Sequence, residues 1–175
     1  MRYFLYLLIV SLPLFSMGAI PKKSLELQKL SGNGVIVGGD SRAYLSLLNL
    51  RAQSSVRQGV DRIVFDFGDK EFSGLSGAPG SYHIEYRKDQ NQLIITFHQA
   101  LHWKFENYEV KDKLKKAQFI QSSQFEFDRL GQASVLTLDL KAPVEVRVRE
   151  IPGEKMAARL MIDLVSIQKP KRVQK

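Results

Sequence analysis

Residues 134–164 have the sequence SVLTLDLKAPVEVRVREIPGEKMAARLMIDL, in which apolar and polar residues alternate. From 144 to 149, Val144, Val146 and Val148 alternate with Glu145, Arg147 and Arg149. A period of two is typical of a β-strand with one buried face and one solvated face. The proline and glycine in IPGEK (151–155) predict a turn. This part of the chain therefore predicts successive strands joined by tight connections.

The same period continues towards the N-terminus. Strands are predicted at 61–67 (DRIVFDF) and 81–87 (SYHIEYR), with further candidates at 47–53 and 92–98. Turn residues separate these runs at 73–81 and 88–91. The only helix-like piece is 103–119, whose lysine-rich part predicts a single-sided helix or a loop. Seven or eight short antiparallel strands with at most one short helix predict an all-β fold, an antiparallel β-sandwich.

The N-terminus has the layout of a cleavable signal peptide, predicted to occupy residues 1–18. Arg2 precedes an apolar run at 3–15, and Ser16 and Gly18 offer small residues at the cleavage site. The alternative is an uncleaved anchor, but the run is shorter than the roughly 20 residues that span a bilayer. We therefore expect a periplasmic or secreted protein with no transmembrane segment in the mature chain.

Three further segments follow the signal peptide. Residues 19–43 are expected to form a linker or a loose hairpin that turns at Asn33 and Gly34, because glycines surround a short apolar run. Residues 44–167 form the predicted β domain. Residues 168–175 are predicted to be a basic, disordered tail, because they combine a proline and four positive charges with few apolar groups.

The positive charge of the chain lies mainly outside the predicted β domain. The chain has a formal net charge of +8. Arg2, residues 19–30 and the tail carry seven of these charges, which leaves +1 for residues 31–167. A nucleic-acid-binding domain would concentrate basic residues on its own surface. We expect no nucleic-acid partner, and the basic extensions favour an anionic envelope polymer or lipid headgroups instead.

No combination of residues predicts catalysis, a metal site or a cofactor. The chain has no cysteine, which excludes disulfides and thiolate ligands. His98 and His102 are spaced like two ligands on a helix, but no third ligand accompanies them. The segment GLSGAPG lacks the order G-x-S-x-G. Carboxylates are predicted to point outwards and to form cross-strand charge pairs; they are Asp61, Asp66, Glu85, Asp139 and Asp163.

Three segments together resemble the AMIN and AMIN-like domains. They are LNLRAQSSVRQGVDRIVFDF (48–67), the strand at 82–86 and the closing stretch at 134–164. The resemblance covers about residues 46–166. It implies a sandwich of two similar small sheets, in agreement with the pattern Arg-Φ-Φ-Φ-Asp-Φ at 62–67 and again at 159–164. The chain departs from the family pattern in the lysine-rich segment 111–116 and in the long turn 152–158.

AMIN domains are envelope-targeting modules that bind peptidoglycan, so the resemblance implies a non-catalytic periplasmic module with peptidoglycan as partner. The alternative is an accessory subunit of an envelope complex, such as a secretion or type IV pilus system, in which an exposed sheet edge adds a partner strand.

Candidate ligand-binding residues are the outward charges on three strands, since arginine forks match the carboxylates of wall peptides. They are Arg62, Asp66, Arg147, Arg149, Arg159 and Asp163. The alternative for each is an ordinary solvated sheet face. Trp103 and Phe105 are predicted either to form a platform for a sugar or to anchor the core.

Overall fold

The computed structural model describes residues 27–42 and 44–167. The predicted signal peptide, residues 19–26 and the predicted basic tail lie outside the described residues. Eleven strands in two sheets occur in the described part of the chain, together with one α-helix and a short 3₁₀ turn. The predicted all-β, two-sheet sandwich with one short helix is confirmed.

The larger sheet has six strands. They are β1 (Gln28–Leu30), β3 (Leu45–Ser55), β4 (Val60–Gly68), β7 (Ala100–Trp103), β10 (Val144–Ile151) and β11 (Arg159–Ser166). Their spatial order is β1-β10-β11-β4-β3-β7. All neighbours are antiparallel except β3 and β7. The repeated Arg-Φ-Φ-Φ-Asp-Φ patterns lie on β4 and β11, which are adjacent strands.

The smaller sheet has five strands, all antiparallel. They are β2 (Gly34–Gly38), β5 (Tyr82–Arg87), β6 (Gln92–His98), β8 (Ile120–Asp128) and β9 (Ala133–Leu140). Their spatial order is β2-β5-β6-β9-β8. The segment 88–91 forms the predicted hairpin connection, with Asn91 in the left-handed region at φ +50°.

The hydrophobic core lies between the two sheets. Phe65, Leu138, Val146 and Ile162 are all fully buried, as expected for the apolar positions of alternating strands. The ring of Phe65 in the larger sheet packs on that of Phe97 in the smaller sheet, with centroids 4.7 Å apart. Burial of each such side chain contributes about 1.5–3 kcal/mol to folding.

The prediction of a linker or loose hairpin around Asn33 and Gly34 was wrong. Strand β1 pairs with β10 in the larger sheet, whereas β2 pairs with β5 in the smaller sheet. The chain therefore crosses from one sheet to the other at 31–33, and β1 and β2 do not bond to each other. Asn33 fixes this crossing: its amide donates to Asp89 at 2.6 Å and its oxygen accepts the Lys88 N–H at 2.7 Å.

The lysine-rich segment forms α1 (Asn107–Leu114), a helix with one buried side that includes Val110 and Leu114. Phe105 is buried, and the ring of Trp103 meets Phe125 edge-on at 5.4 Å. Both aromatic residues therefore pack against the core, and the sugar-platform alternative was wrong. Strand β8, which carries Phe125, was not predicted because the polar run at 121–124 hides its alternation.

Candidate ligand-binding face

All six candidate residues lie on adjacent strands of the larger sheet and point away from the core. Cross-strand pairing places Asp163 between Arg147 and Arg62, and places Arg159 opposite Asp66. The geometry follows from the alternation, because polar residues between buried ones on β4, β10 and β11 share one side of the sheet. We call this side the outer face of the larger sheet.

Arg62 and Asp163 are bound to each other across 101 residues of sequence. The guanidinium donates two hydrogen bonds to the carboxylate, at 2.7 and 2.8 Å. This bidentate arrangement is the strong form of an ion pair, and the hydrogen bond to Asp163 raises the pKa of Arg62. The pair therefore stabilises the β4–β11 contact, and a ligand would have to compete with it for Arg62.

Arg147 is also engaged within the sheet. It donates to Glu145, two residues earlier on the same strand, at 2.5 Å. Hydrogen bonding from Arg147 is the main cause of a lowered pKa at Glu145, which also accepts from Ser31. Arg149, by contrast, is exposed and has no hydrogen bond or ion pair with any described residue. Of the arginines on β10, only Arg149 has all its donors available.

Asp66 pairs with a residue that was not among the candidates. Arg51 on β3 donates to it at 2.6 Å. The side chain of Asp66 is 15% exposed, and that of Arg51 is half exposed. Arg51 was missed because a bulge between Leu47 and Asn49 shifts the pairing of β3 with β4. The bulge breaks the period of two, which would otherwise have assigned position 51 to the outer face.

Arg159 has an unusual environment. It lies directly opposite Asp66, yet Asp66 bonds to Arg51, and the buried Nε of Arg159 has no hydrogen-bond partner within the part of the chain that the structure describes. The three charged residues border an open groove of about 330 Å³. Its lining consists of Leu48, Asn49, Arg51, Asp66, Met156, Ala157 and Arg159. The charges of the lining sum to +1.

One wall of the groove is the loop at 152–158, which is held in place by backbone hydrogen bonds. Gly77 and Gly153 bond to each other twice, at 2.9 and 2.7 Å. Ala158 donates to Leu75 at 2.8 Å and accepts from Phe67 at 2.9 Å. A side chain at Gly153 would meet the Leu75 carbonyl oxygen at 2.0 Å, so only glycine permits this approach. The groove is therefore preformed.

The two outer faces of the sandwich carry opposite charge. On the strands of the larger sheet, the outward charges are Lys29, Arg51, Arg62, Arg147, Arg149 and Arg159 against Asp66, Glu145 and Asp163, a net of +3. On the strands of the smaller sheet they are Arg87 against Glu85, Glu126, Asp128 and Asp139, a net of −3. The near-neutral domain is therefore electrostatically polarised, and its larger sheet attracts anions.

One predicted outward carboxylate points inwards instead. Asp61 is 1% exposed, because it shares the parity of the buried residues Ile63 and Phe65 on β4. Its carboxylate accepts hydrogen bonds from Ser54 Oγ at 2.5 Å and from the Phe119 N–H at 2.7 Å. Asp61 thus joins β3 and β4 to the segment between α1 and β8, which is a structural role.

The histidines do not converge. His98 ends β6 in the smaller sheet, and His102 lies on β7 in the larger sheet with its ring 6.1 Å from that of Phe72. The described residues contain no group of three or more His, Asp or Glu placed to hold a metal ion. Across 27–42 and 44–167, no helix has the length and apolar character required to cross a membrane.

Fold and geometry together define a two-sheet β-sandwich with a basic outer face and a small charged groove. No protein-family model matches the chain, and no curated protein or solved structure is significantly similar to it.

Proposed function

We propose that the chain is a non-catalytic periplasmic module of AMIN-like type that binds peptidoglycan through the outer face of the larger sheet. The observation that carries the proposal is that the guanidinium of Arg159 has no partner among the described residues, although Arg159 lines the groove beside the Arg51–Asp66 pair. Peptidoglycan supplies carboxylates on its peptides, and arginine is the side chain best suited to bind them. The predicted signal peptide would bring the chain to the wall.

The carboxylates on this face support binding rather than catalysis. Asp66, Asp163 and Glu145 each accept a hydrogen bond from an arginine. A general acid needs a carboxyl group whose pKa is raised towards neutrality. The pKa of Glu145 is lowered instead, mainly by Arg147. These acids therefore act as fixed anionic partners that orient arginines.

Sedimentation with purified cell-wall sacculi tests the proposal. The test variant replaces three arginines of the outer face, Arg51, Arg149 and Arg159, with glutamine. A matched control replaces Arg57, Lys70 and Arg129, which are exposed residues outside the outer face, and so makes the same change in net charge. We expect the chain and the control to sediment with sacculi and the test variant to remain in solution. Equal binding by all three proteins would refute the proposed face.

A second function is favoured by a separate feature, the edge of the smaller sheet. Strand β2 is an edge strand with no charged residue from 34 to 38, and Val35 and Val37 are 50% and 63% exposed. Such an edge can accept a strand from a partner, as an accessory subunit of an envelope assembly would require. A photo-crosslinking residue at Val37 should then capture an envelope protein, whereas the same residue at Thr96 on central β6 should not.

A further inference from the structure

The groove between β3 and the loop at 152–158 has an unbalanced charge. Arg51 and Arg159 contribute two positive charges, and Asp66 contributes one negative charge. Asp66 is occupied by Arg51, so the charge of Arg159 has no counter-ion within the lining. One monovalent anion would neutralise the groove.

The available donors suit a carboxylate. A guanidinium has five N–H groups in a fixed fork, and Arg159 makes no hydrogen bond or ion pair with any described residue. Its Nε is buried, so a ligand in the groove would meet its terminal nitrogens. Arg51 donates one terminal nitrogen to Asp66 and retains its other donors. Asp66 would meanwhile repel an anion that approached its own oxygen atoms. A carboxylate can therefore bind between the two arginines on the side away from Asp66.

The rest of the lining is apolar and small. Leu48, Met156 and Ala157 border the charged residues, and the side chain of Met156 is available because the residue is 66% exposed. The volume of about 330 Å³ lies at the lower end of the roughly 300–1,000 Å³ of small-ligand pockets. This volume suits one or two small residues of a peptide.

We propose that this groove binds the free carboxylate at the end of a short peptide whose last residues have small apolar side chains. The inference rests on the proposed function and makes it specific: the groove would recognise peptide ends in the wall, and the remaining outer face would add non-specific attraction. The preformed loop at 152–158 means that little ordering accompanies binding.

The test uses four capped dipeptides as probes, titrated into the purified chain and followed by amide chemical shifts. They are N-acetyl-D-Ala-D-Ala, N-acetyl-L-Ala-L-Ala and the C-terminal amide of each. We expect a free-acid probe to shift the amides of residues 48–51 and 156–159, and its amide to bind at least tenfold more weakly. Equal binding of acid and amide would overturn the proposal, because the anionic group would then contribute nothing.

Variants locate the site. Arg159→Gln and Arg51→Gln should each weaken binding of the acid probe at least tenfold. Arg129→Gln, which removes an exposed arginine that lies outside the outer face, should change it by less than twofold. Thermal unfolding of each variant checks that the fold is intact. Ala157→Leu, which fills the groove and leaves every charge in place, should also weaken binding. Similar losses of affinity for Arg129→Gln and Arg159→Gln would overturn the site.

The two enantiomers separate the sources of such a carboxylate. Tighter binding of the D,D probe supports a wall peptide, whereas tighter binding of the L,L probe assigns the groove to protein C-termini and overturns the link to the wall. The proposed function has its own criterion. If no probe binds but sacculi still retain the chain through Arg51, Arg149 and Arg159, the groove proposal fails and the wall-binding face stands.

Discussion

The hydroxyl of Tyr86 accepts a hydrogen bond from the backbone N–H of Val144 at 3.0 Å, inside the core. Tyr86 lies on β5 and Val144 begins β10, so this bond joins the two sheets. Tyr82, near the start of β5, makes a second connection by donating to Glu150 at 2.8 Å. Burial, and then the bond to Glu150, raise the pKa of Tyr82, which therefore stays a neutral donor. Strand β5 holds β10 at both ends, and β10 carries Arg147 and Arg149.

Replacing Tyr86 with phenylalanine should destabilise the chain by about 1–3 kcal/mol, because the buried N–H of Val144 would lose its acceptor. Chemical denaturation of the variant measures this loss. Tyr108→Phe, at a residue that is 67% exposed, removes the same hydroxyl without a buried partner and should cost well under ~1 kcal/mol. Equal effects of the two changes would show that the bond between sheets contributes nothing.

Truncating Phe65 to alanine should cost about 3–5 kcal/mol, because a fully buried ring leaves a cavity between the sheets. Arg147→Ala, on the outer face of the same sheet, should cost less than about 1 kcal/mol, since Arg147 belongs to a partly exposed ion pair. Urea unfolding of both variants provides the comparison. If Arg147→Ala lost more stability than Phe65→Ala, the assigned strand register would be wrong.

Substitution of Asp61 should destabilise the fold more than substitution of Asp66, the other acidic residue of β4. Asp61→Ala leaves the N–H of Phe119 and the hydroxyl of Ser54 without their acceptor, at a cost of about 1–3 kcal/mol or more. Asp61→Asn keeps one acceptor oxygen and should recover part of this stability. Asp66→Ala, on the outer face, should cost less. Thermal unfolding of the three variants ranks them, and the reverse order would exclude a structural role for Asp61.

The stability of the smaller sheet should depend on pH through Asp139. Hydrogen bonds from Ser122 at 2.5 Å and Gln92 at 3.2 Å hold the pKa of Asp139 below its ordinary value of 3.8. A lowered pKa stabilises the folded state above pH 3.8, and this contribution is lost as the pH falls through the lower folded value. Asp139→Asn should therefore lower the melting temperature at neutral pH and have a smaller effect in strong acid, below the folded pKa.

Ser122→Ala serves as the control for this pH dependence, because Ser122 is the main cause of the lowered pKa. In a Ser122→Ala background, the loss of melting temperature caused by Asp139→Asn at neutral pH should shrink. A constant loss at all pH values would assign the effect of the substitution to packing rather than to the charge.

Deleting residues 168–175 should weaken association with sacculi at low salt and change it little at high salt. Exposed charges act over about 8 Å at physiological ionic strength and are readily screened. Substituting Arg51, Arg149 and Arg159 should weaken association at both salt concentrations, because hydrogen bonds to carboxylates persist when long-range attraction is screened. Pull-downs with sacculi across a salt series compare the tail deletion with the arginine variant. Normal binding by the arginine variant at every salt concentration would contradict recognition by the outer face of the larger sheet.

Local patterns predicted the strands and their buried faces well. The alternation at 144–149 is complete, and β10 follows it residue by residue there. Strand β8 was missed because its four residues from Gln121 to Gln124 are polar and only later residues alternate. Arg51 was missed for a related reason, since a bulge precedes it. In both cases an irregularity within the strand hides its alternation of polar and apolar residues, although the alternation is clear in the neighbouring strand.

The N-terminal strands required information that no local pattern contains. The glycines around Val35 to Val37 suit a hairpin turn as well as a crossing between sheets. The pairing of β1 with β10 and of β2 with β5 depends on segments that are distant in the sequence. The part that Asn33 plays in the crossing becomes visible only in the structure, through its hydrogen bonds to Lys88 and Asp89.

The order of polar and apolar residues by itself determined that the chain forms a β-sandwich and that Arg62, Arg147, Arg159 and Asp163 point outwards. Those properties are local, because a strand turns successive side chains to opposite faces. Only the tertiary structure decided that Arg62 is held by Asp163, that Asp66 is held by Arg51, and that the Nε of Arg159 remains without a partner in a groove of the described chain. The choice of partner depends on which strands become neighbours and in what register, and distant segments settle both when the sheets form.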